Sequence, residues 1–104
     1  MARALLAFAV ASAAALASDV LAQRADPNLG RNLVAACANC HGTNGVSQAG
    51  MPSLAGMERS TLARQMQDFR AGKRPATIMH QIAKGYTDEQ IEAIAAYLSA
   101  QKAR

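Results

Sequence analysis

Hydrophobic positions along this chain recur with the 3.6-residue period of helices, and no stretch alternates as a half-buried strand would. Leu29, Leu33, Val34 and Ala36 mark a first helix, which Asn28 can cap and which runs on into Cys37. Leu62, Met66 and Phe69 stand at i, i+4 and i+7 and give a second helix one apolar stripe. That helix begins at Ser60 or a neighbour and closes at Gly72, with Arg59, Arg64, Gln67 and Arg70 on its other faces. A short helical piece is expected at Ile78 to Ala83, inside the turn region from Pro75 to Gly85. The last helix opens on Thr87-Asp88-Glu89-Gln90, a capping box with Thr87 as cap, and continues through Ile91, Ile94, Tyr97 and Leu98. Asp88 and Glu89 complement the positive end of its dipole; Lys102 and Arg104 suit the negative end. Between the first two helices, Gly42, Gly45, Gly50, Pro52 and Gly56 punctuate the chain too densely for a regular element. The predicted class is all-α. Gly30, inside the first helix, costs about 1 kcal/mol relative to Ala and invites a packing reason.

The N-terminal stretch has a different character. Arg3 precedes an apolar run from Ala4 to Ala17, and small-residue cleavage sites follow after Ala17 or, preferably, after Ala22. Residues 1–22 therefore read as a secretory signal peptide and residues 23–104 as the one mature domain. The apolar run is too short to span a bilayer and Asp19 stops its extension, so stable membrane insertion is not expected after cleavage; an uncleaved anchor is the alternative. The remaining stretch of about 82 residues has Phe69, Tyr86 and Tyr97 as its only aromatics. A core that small is marginal by itself, and a large apolar cofactor would supply the missing interior.

Cys37-Ala38-Asn39-Cys40-His41 supplies a candidate for that cofactor. The pattern is that of covalent attachment of a c-type haem. Positions i and i+3 share a helix face, so both thiols can reach one edge of the porphyrin and form thioethers with its vinyl groups. His41 follows directly and offers an imidazole to one axial side of the iron, its other ring nitrogen needing an acceptor to fix the tautomer. Three competing readings fit less well. A thioredoxin-like pair needs a βαβ context, a zinc site needs a fourth ligand where only His80 remains, and a disulfide across two residues would be strained. One haem c, bound covalently, is the expected cofactor.

The second axial ligand comes from Met51, Met57, Met66, Met79 or His80. Met66 lies on a core stripe, where methionine usually packs, and Met57 suits gap-filling. Met51 stands only ten residues past His41, a short path round the ring. Met79 has the better reach, in the irregular segment before the last helix, and a thioether there fits iron ligation. His80 suits a surface or propionate contact.

With these residues in view the chain resembles the class I cytochromes c, from Asn28 to Gln101. The matching stretches are Cys37 to Gly42, Pro52 to Gly56, Met79, and the helix from Thr87 to Leu98. The resemblance implies a small all-α class I cytochrome c fold with the first and last helices crossing at Gly30 and Tyr97. It also implies that the Pro52 carbonyl accepts from the histidine ligand and that Leu54 packs on the porphyrin. The run from Phe69 to Thr87 is similar to the cytochrome subunit of flavocytochrome c sulfide dehydrogenases, many of which carry two haem domains; a single attachment motif makes this a monohaem version.

The function so implied is one-electron transfer in the periplasm, with the protein itself no enzyme. The partner would be a redox protein, most naturally the flavoprotein subunit of a sulfide dehydrogenase, and the alternative is a free carrier between transient partners. A haem enzyme would need an open iron site. The formal charge of +4 is dispersed, without the basic run and interleaved aromatics of a nucleic-acid binder, so no nucleic-acid partner is expected. Arg59, Arg64, Arg70, Lys73, Arg74 and Lys84 could steer an acidic partner, or simply be a solvated face.

Overall fold

A computed structural model of the protein describes residues 26–48 and 50–103. The expected signal peptide and Arg104 lie outside the described residues, and the structure among those described is helical with no strand. Helix α1 covers Leu29–Val34, α2 Ala38–His41, α3 Arg59–Arg70, α4 Met79–Ala83 and α5 Asp88–Ser99, with a 3₁₀ turn at Thr43–Gly45. No helix among the described residues is long and apolar enough to cross a membrane.

Helix α5 is the element against which the others are set. The Thr87 hydroxyl accepts from the Gln90 N–H (3.2 Å), and the Gln90 side chain accepts in turn from the Thr87 N–H (2.9 Å). This is the expected capping box, and it satisfies two N–H groups that the first turn would leave orphaned. Ile91, Ile94, Ala95 and Leu98 fall on one face and are buried. Ile91 and Leu98 are fully enclosed, each contributing about 2 kcal/mol of hydrophobic stabilisation. Helix α1 packs on α5, and α3 packs on both α5 and α4. Val34 from α1 and Leu62 and Ala63 from α3 complete the core, with Leu33, Met57 and Tyr97 half-buried against it.

The crossing of α1 and α5 explains the glycine. A Cβ at Gly30 would stand 2.4 Å from the Ala93 carbonyl oxygen and 3.0 Å from Tyr97 Cβ, so only a bare backbone allows the approach. At the other end of the core, α3 stops in a Schellman motif. The Lys73 N–H reaches the Asp68 carbonyl (2.9 Å) and the Gly72 N–H the Phe69 carbonyl (3.1 Å), with Gly72 at φ +74°. Arg70, in the last turn of α3, then clamps the approach to α5. It donates to the Tyr86 carbonyl (3.1 Å) and pairs with Asp88.

The expected first helix differs in two respects. It does not run unbroken into the cysteines: the Cys37 N–H bonds to the Val34 carbonyl (2.9 Å), three residues back instead of four, and the tightened turn separates α1 from α2. Asn28 occupies the cap position, yet its side chain caps nothing. Its backbone, at φ −98° and ψ 3°, lacks the extended conformation typical of a cap, and its own N–H bonds to Asp26 Oδ1 (2.8 Å).

Candidate functional site

The short helix α2 and the loop after it build one side of a cavity of about 340 Å³. Cys37, at the N-cap of α2, and Cys40, within it, both line this cavity, as does His41. Cys40 is exposed at the mouth, Cys37 is half-buried, and His41 is only 8% exposed. Both thiols are free. Burial pushes the Cys37 thiol above its ordinary value, a backbone hydrogen bond opposing this in part, so the group is held neutral.

The ring of His41 is fixed by the loop. Its Nδ1 lies 2.7 Å from the Pro52 carbonyl oxygen. A carbonyl can only accept, so Nδ1 carries the proton and Nε2 is left with its lone pair, the tautomer suited to binding a metal. The loop is itself laced into place. The Leu54 and Ala55 N–H groups both reach the Gly45 carbonyl (2.8 and 3.1 Å), which also accepts from the Ser53 hydroxyl (3.0 Å). The Ser47 N–H donates to that same hydroxyl oxygen (3.0 Å), and the Gly56 N–H ties the loop to α5 through the Leu98 carbonyl (3.0 Å). The irregular, glycine-rich stretch is thus a fixed cradle for one carbonyl.

The remaining walls are apolar. Leu54 comes from the loop, Leu62, Met66 and Phe69 from α3, Met79 and Ile82 from α4, and Ile94, Ala95 and Leu98 from α5. Met51, Ile78 and Ile82 line the cavity and are nonetheless exposed, at its mouth. Buried Leu62, Ile94, Ala95 and Leu98 form its floor. Free thiols at i and i+3, an imidazole with its tautomer set, thioethers within the same lining and an apolar interior all fit a flat apolar ring with a metal at its centre. A broader depression of about 1160 Å³ crosses Asn39, Thr43, Asn44 and Lys102 on the outside of the attachment loop. It shares Cys40 and Met51 but carries neither His41 nor Met79, so the smaller cavity is the one the chemistry marks.

The sequence model of cytochrome c matches residues 28–102. The chain belongs to the cytochrome c family. Its cofactor is accordingly a covalently bound haem c, and its fold is that of a class I cytochrome c. Among similar proteins is a thiosulfate dehydrogenase electron acceptor of Stutzerimonas stutzeri, 41% identical over 102 residues, covering 90% of this chain and 47% of that one. The cytochrome subunit of sulfide dehydrogenase of Chlorobaculum tepidum is 43% identical over 68 residues, covering 65% of this chain and 62% of that one. The crystal structure of reduced recombinant cytochrome c4 from Pseudomonas stutzeri superposes with a TM-score of 0.64 at 30% identity, over 74% of this chain and 50% of that one. The chain spans about half the length of these relatives.

Every site residue expected from the sequence lines the cavity: Cys37, Cys40, His41, Pro52, Leu54 and Met79. His80 does not; it is half-buried on α4, with Nδ1 enclosed and without a hydrogen-bond partner among the described residues. Met57 packs on the core away from the cavity. Met66 and Phe69, expected as core, face the cavity as well. The six charges expected to steer partners also divide. Arg59 pairs with Glu92 (3.4 Å), Arg70 is committed to Asp88 and Tyr86, and Arg74 lies over the Phe69 ring. Arg64, Lys73 and Lys84 remain exposed.

Proposed function

We propose that Cys37 and Cys40 tether the haem through two thioether bonds, and that His41 Nε2 and the Met79 sulfur bind its iron. The chain then accepts electrons one at a time from an exported dehydrogenase that oxidises a reduced sulfur compound, in the first place a flavoprotein sulfide dehydrogenase. The observation that carries this reading is the single cavity in which both thiols, an imidazole anchored at 2.7 Å and Met79 meet among apolar walls. When bound, the haem supplies a one-electron couple between ferric and ferrous iron. The Pro52 carbonyl orients His41 and fixes its tautomer. The neutral Met79 thioether favours the ferrous state relative to a second imidazole. Leu54, Leu62, Ile94 and Leu98 exclude water and so disfavour the additional charge of the ferric state. Exposed Met51, Ile78 and Ile82 lie at the mouth, where a partner can approach the ring edge.

Residues 1–22 serve in this reading as the signal peptide that takes the chain to the periplasm, where the haem is attached. The relative named a cytochrome subunit of sulfide dehydrogenase supports a stable complex with a dehydrogenase of that kind. The relative named an electron acceptor of thiosulfate dehydrogenase, matched over 90% of the chain, favours a second reading, in which the protein is a separate carrier. Exposed Arg64, Lys73 and Lys84 would steer such transient encounters.

Gentle purification from the native periplasm separates the two. In the first reading a flavoprotein co-elutes and sulfide reduces the haem in that fraction. Elution alone, with reduction by thiosulfate only after a separate dehydrogenase is added, establishes the carrier instead. Reduction by neither compound in the presence of whole periplasmic extract refutes both.

A further inference from the structure

We propose that Arg74 is the residue that holds a propionate carboxylate of the bound cofactor, an inference that rests on the haem reading above. Among the described residues that line the cavity, Arg74 is the only one with a permanently charged side chain. It belongs to the link between α3 and α4, not to the attachment loop. Its guanidinium carbon lies 5.0 Å from the centroid of the Phe69 ring, and Phe69 is itself a wall of the cavity. A cation over an aromatic face is attracted by the ring quadrupole, which restricts a long side chain while leaving its N–H donors free.

Among the described residues those donors have no anion: no carboxylate pairs with Arg74, whereas Arg59 is held by Glu92 and Arg70 by Asp88. A restrained guanidinium at the edge of an apolar cavity is complementary to an occupant that is apolar over its face and anionic at its rim. Haem has that character, since its two propionates are its only anionic substituents. Arginine is also the side chain whose planar fork matches a carboxylate in two parallel hydrogen bonds. The assignment takes Arg74 out of the set of partner-steering charges and makes it a positioning residue for the cofactor. It has an electrical consequence too. A propionate without its cation favours ferric iron, so loss of Arg74 lowers the midpoint potential.

The test uses the exported holoprotein and two readouts, the propionate-bending band in resonance Raman and the midpoint potential. R74Q is expected to displace the band and lower the potential. R74K, which keeps the charge but loses the fork, is expected to displace the band while retaining most of the potential. R64Q removes an equal charge from an exposed site and is expected to leave both readouts at wild-type values. An unmoved band in R74Q, with the haem spectrum otherwise intact, overturns the assignment; so does a band that moves as far in R64Q. If R74Q does not fold, R74K decides by the same band, displaced in support and unmoved in refutation. The mass of the denatured wild-type protein shows separately whether haem is attached at all, so a failure of the underlying reading is seen as such.

Discussion

Substitution of Gly30 by alanine sets two energies of opposite sign against each other. In an isolated or exposed helix the change stabilises by about 1 kcal/mol, because alanine loses less backbone entropy. Here the new Cβ would stand 2.4 Å from the Ala93 carbonyl oxygen, and α1 or α5 must retreat by about 1 Å to restore an ordinary contact of 3.4 Å. The Tyr97 Cβ, at 3.0 Å, blocks the easy direction. Neither neighbour is the far end of a flexible side chain, so relief requires backbone movement, and overpacking of this kind costs about 1–3 kcal/mol. The movement also loosens Val34 and Leu33 against α5. The expected net effect of G30A is a loss of up to about 2 kcal/mol, and G30V, which adds a branched side chain, loses more. Urea unfolding of the oxidised holoprotein, followed by far-ultraviolet circular dichroism, measures this as a lower midpoint at unchanged slope. In a domain of this size the corresponding thermal shift is about 4–8 °C for each kcal/mol. A G30A variant that is more stable than wild type would refute the reasoning, since propensity would then outweigh the contact.

Two further substitutions test the site and its scaffold. M79A should lose the absorption band that reports a sulfur on ferric iron and should lower the potential, whereas M66A, altering another methionine of the same cavity, should keep the band and lose stability; the reverse pattern reassigns the ligand. T87A removes the acceptor for the Gln90 N–H and should cost about 1 kcal/mol, with T87S near wild type, as read from thermal midpoints. Equal midpoints for all three proteins would show that the capping box contributes nothing measurable.

Where a residue's role follows from local geometry, the sequence was sufficient. The Thr87–Gln90 box is a chemical rule over four residues, and it forms as written. The bounds of α3, α4 and α5 fall within a residue or two of those set by Ser60, Gly72, Ile78 and Thr87, because caps and glycines act on their own neighbours. The pairing of Gly30 with Tyr97 and of His41 with Pro52 came from family resemblance, and the distances now supply the physical reason for each. The break between α1 and α2 was not legible. It arises from a single hydrogen bond that reaches back three residues instead of four, and nothing in the composition of residues 33–37 distinguishes the two. Asn28 likewise has the chemistry of a cap without the backbone angles that would let it act as one.

The larger gap concerns the cavity, and its cause is general to proteins that fold around an apolar cofactor. Periodicity records which face of a helix avoids water; it does not record whether that face meets a neighbouring helix or a prosthetic group. Leu62, Met66 and Phe69 form one unbroken stripe in the sequence, yet Leu62 and Met66 meet both the protein core and the cavity, while Phe69 lines the cavity. Methionine count alone was therefore a weak guide to the iron ligand, since Met51, Met66 and Met79 all line the same space. Charge was misleading for the converse reason. Arg70 and Arg74 stand four residues apart, yet one closes the protein on itself through Asp88 and Tyr86 and the other lines the cavity over the Phe69 ring. Only the placement of Phe69 beneath Arg74, together with the lack of a carboxylate beside it among the described residues, separates the two. The cofactor is thus a structural element in its own right. Its apolar face accounts for the side chains that a core of this size has in excess, and in the proposed assignment its anionic rim accounts for Arg74, the cation left without a carboxylate partner among the described residues.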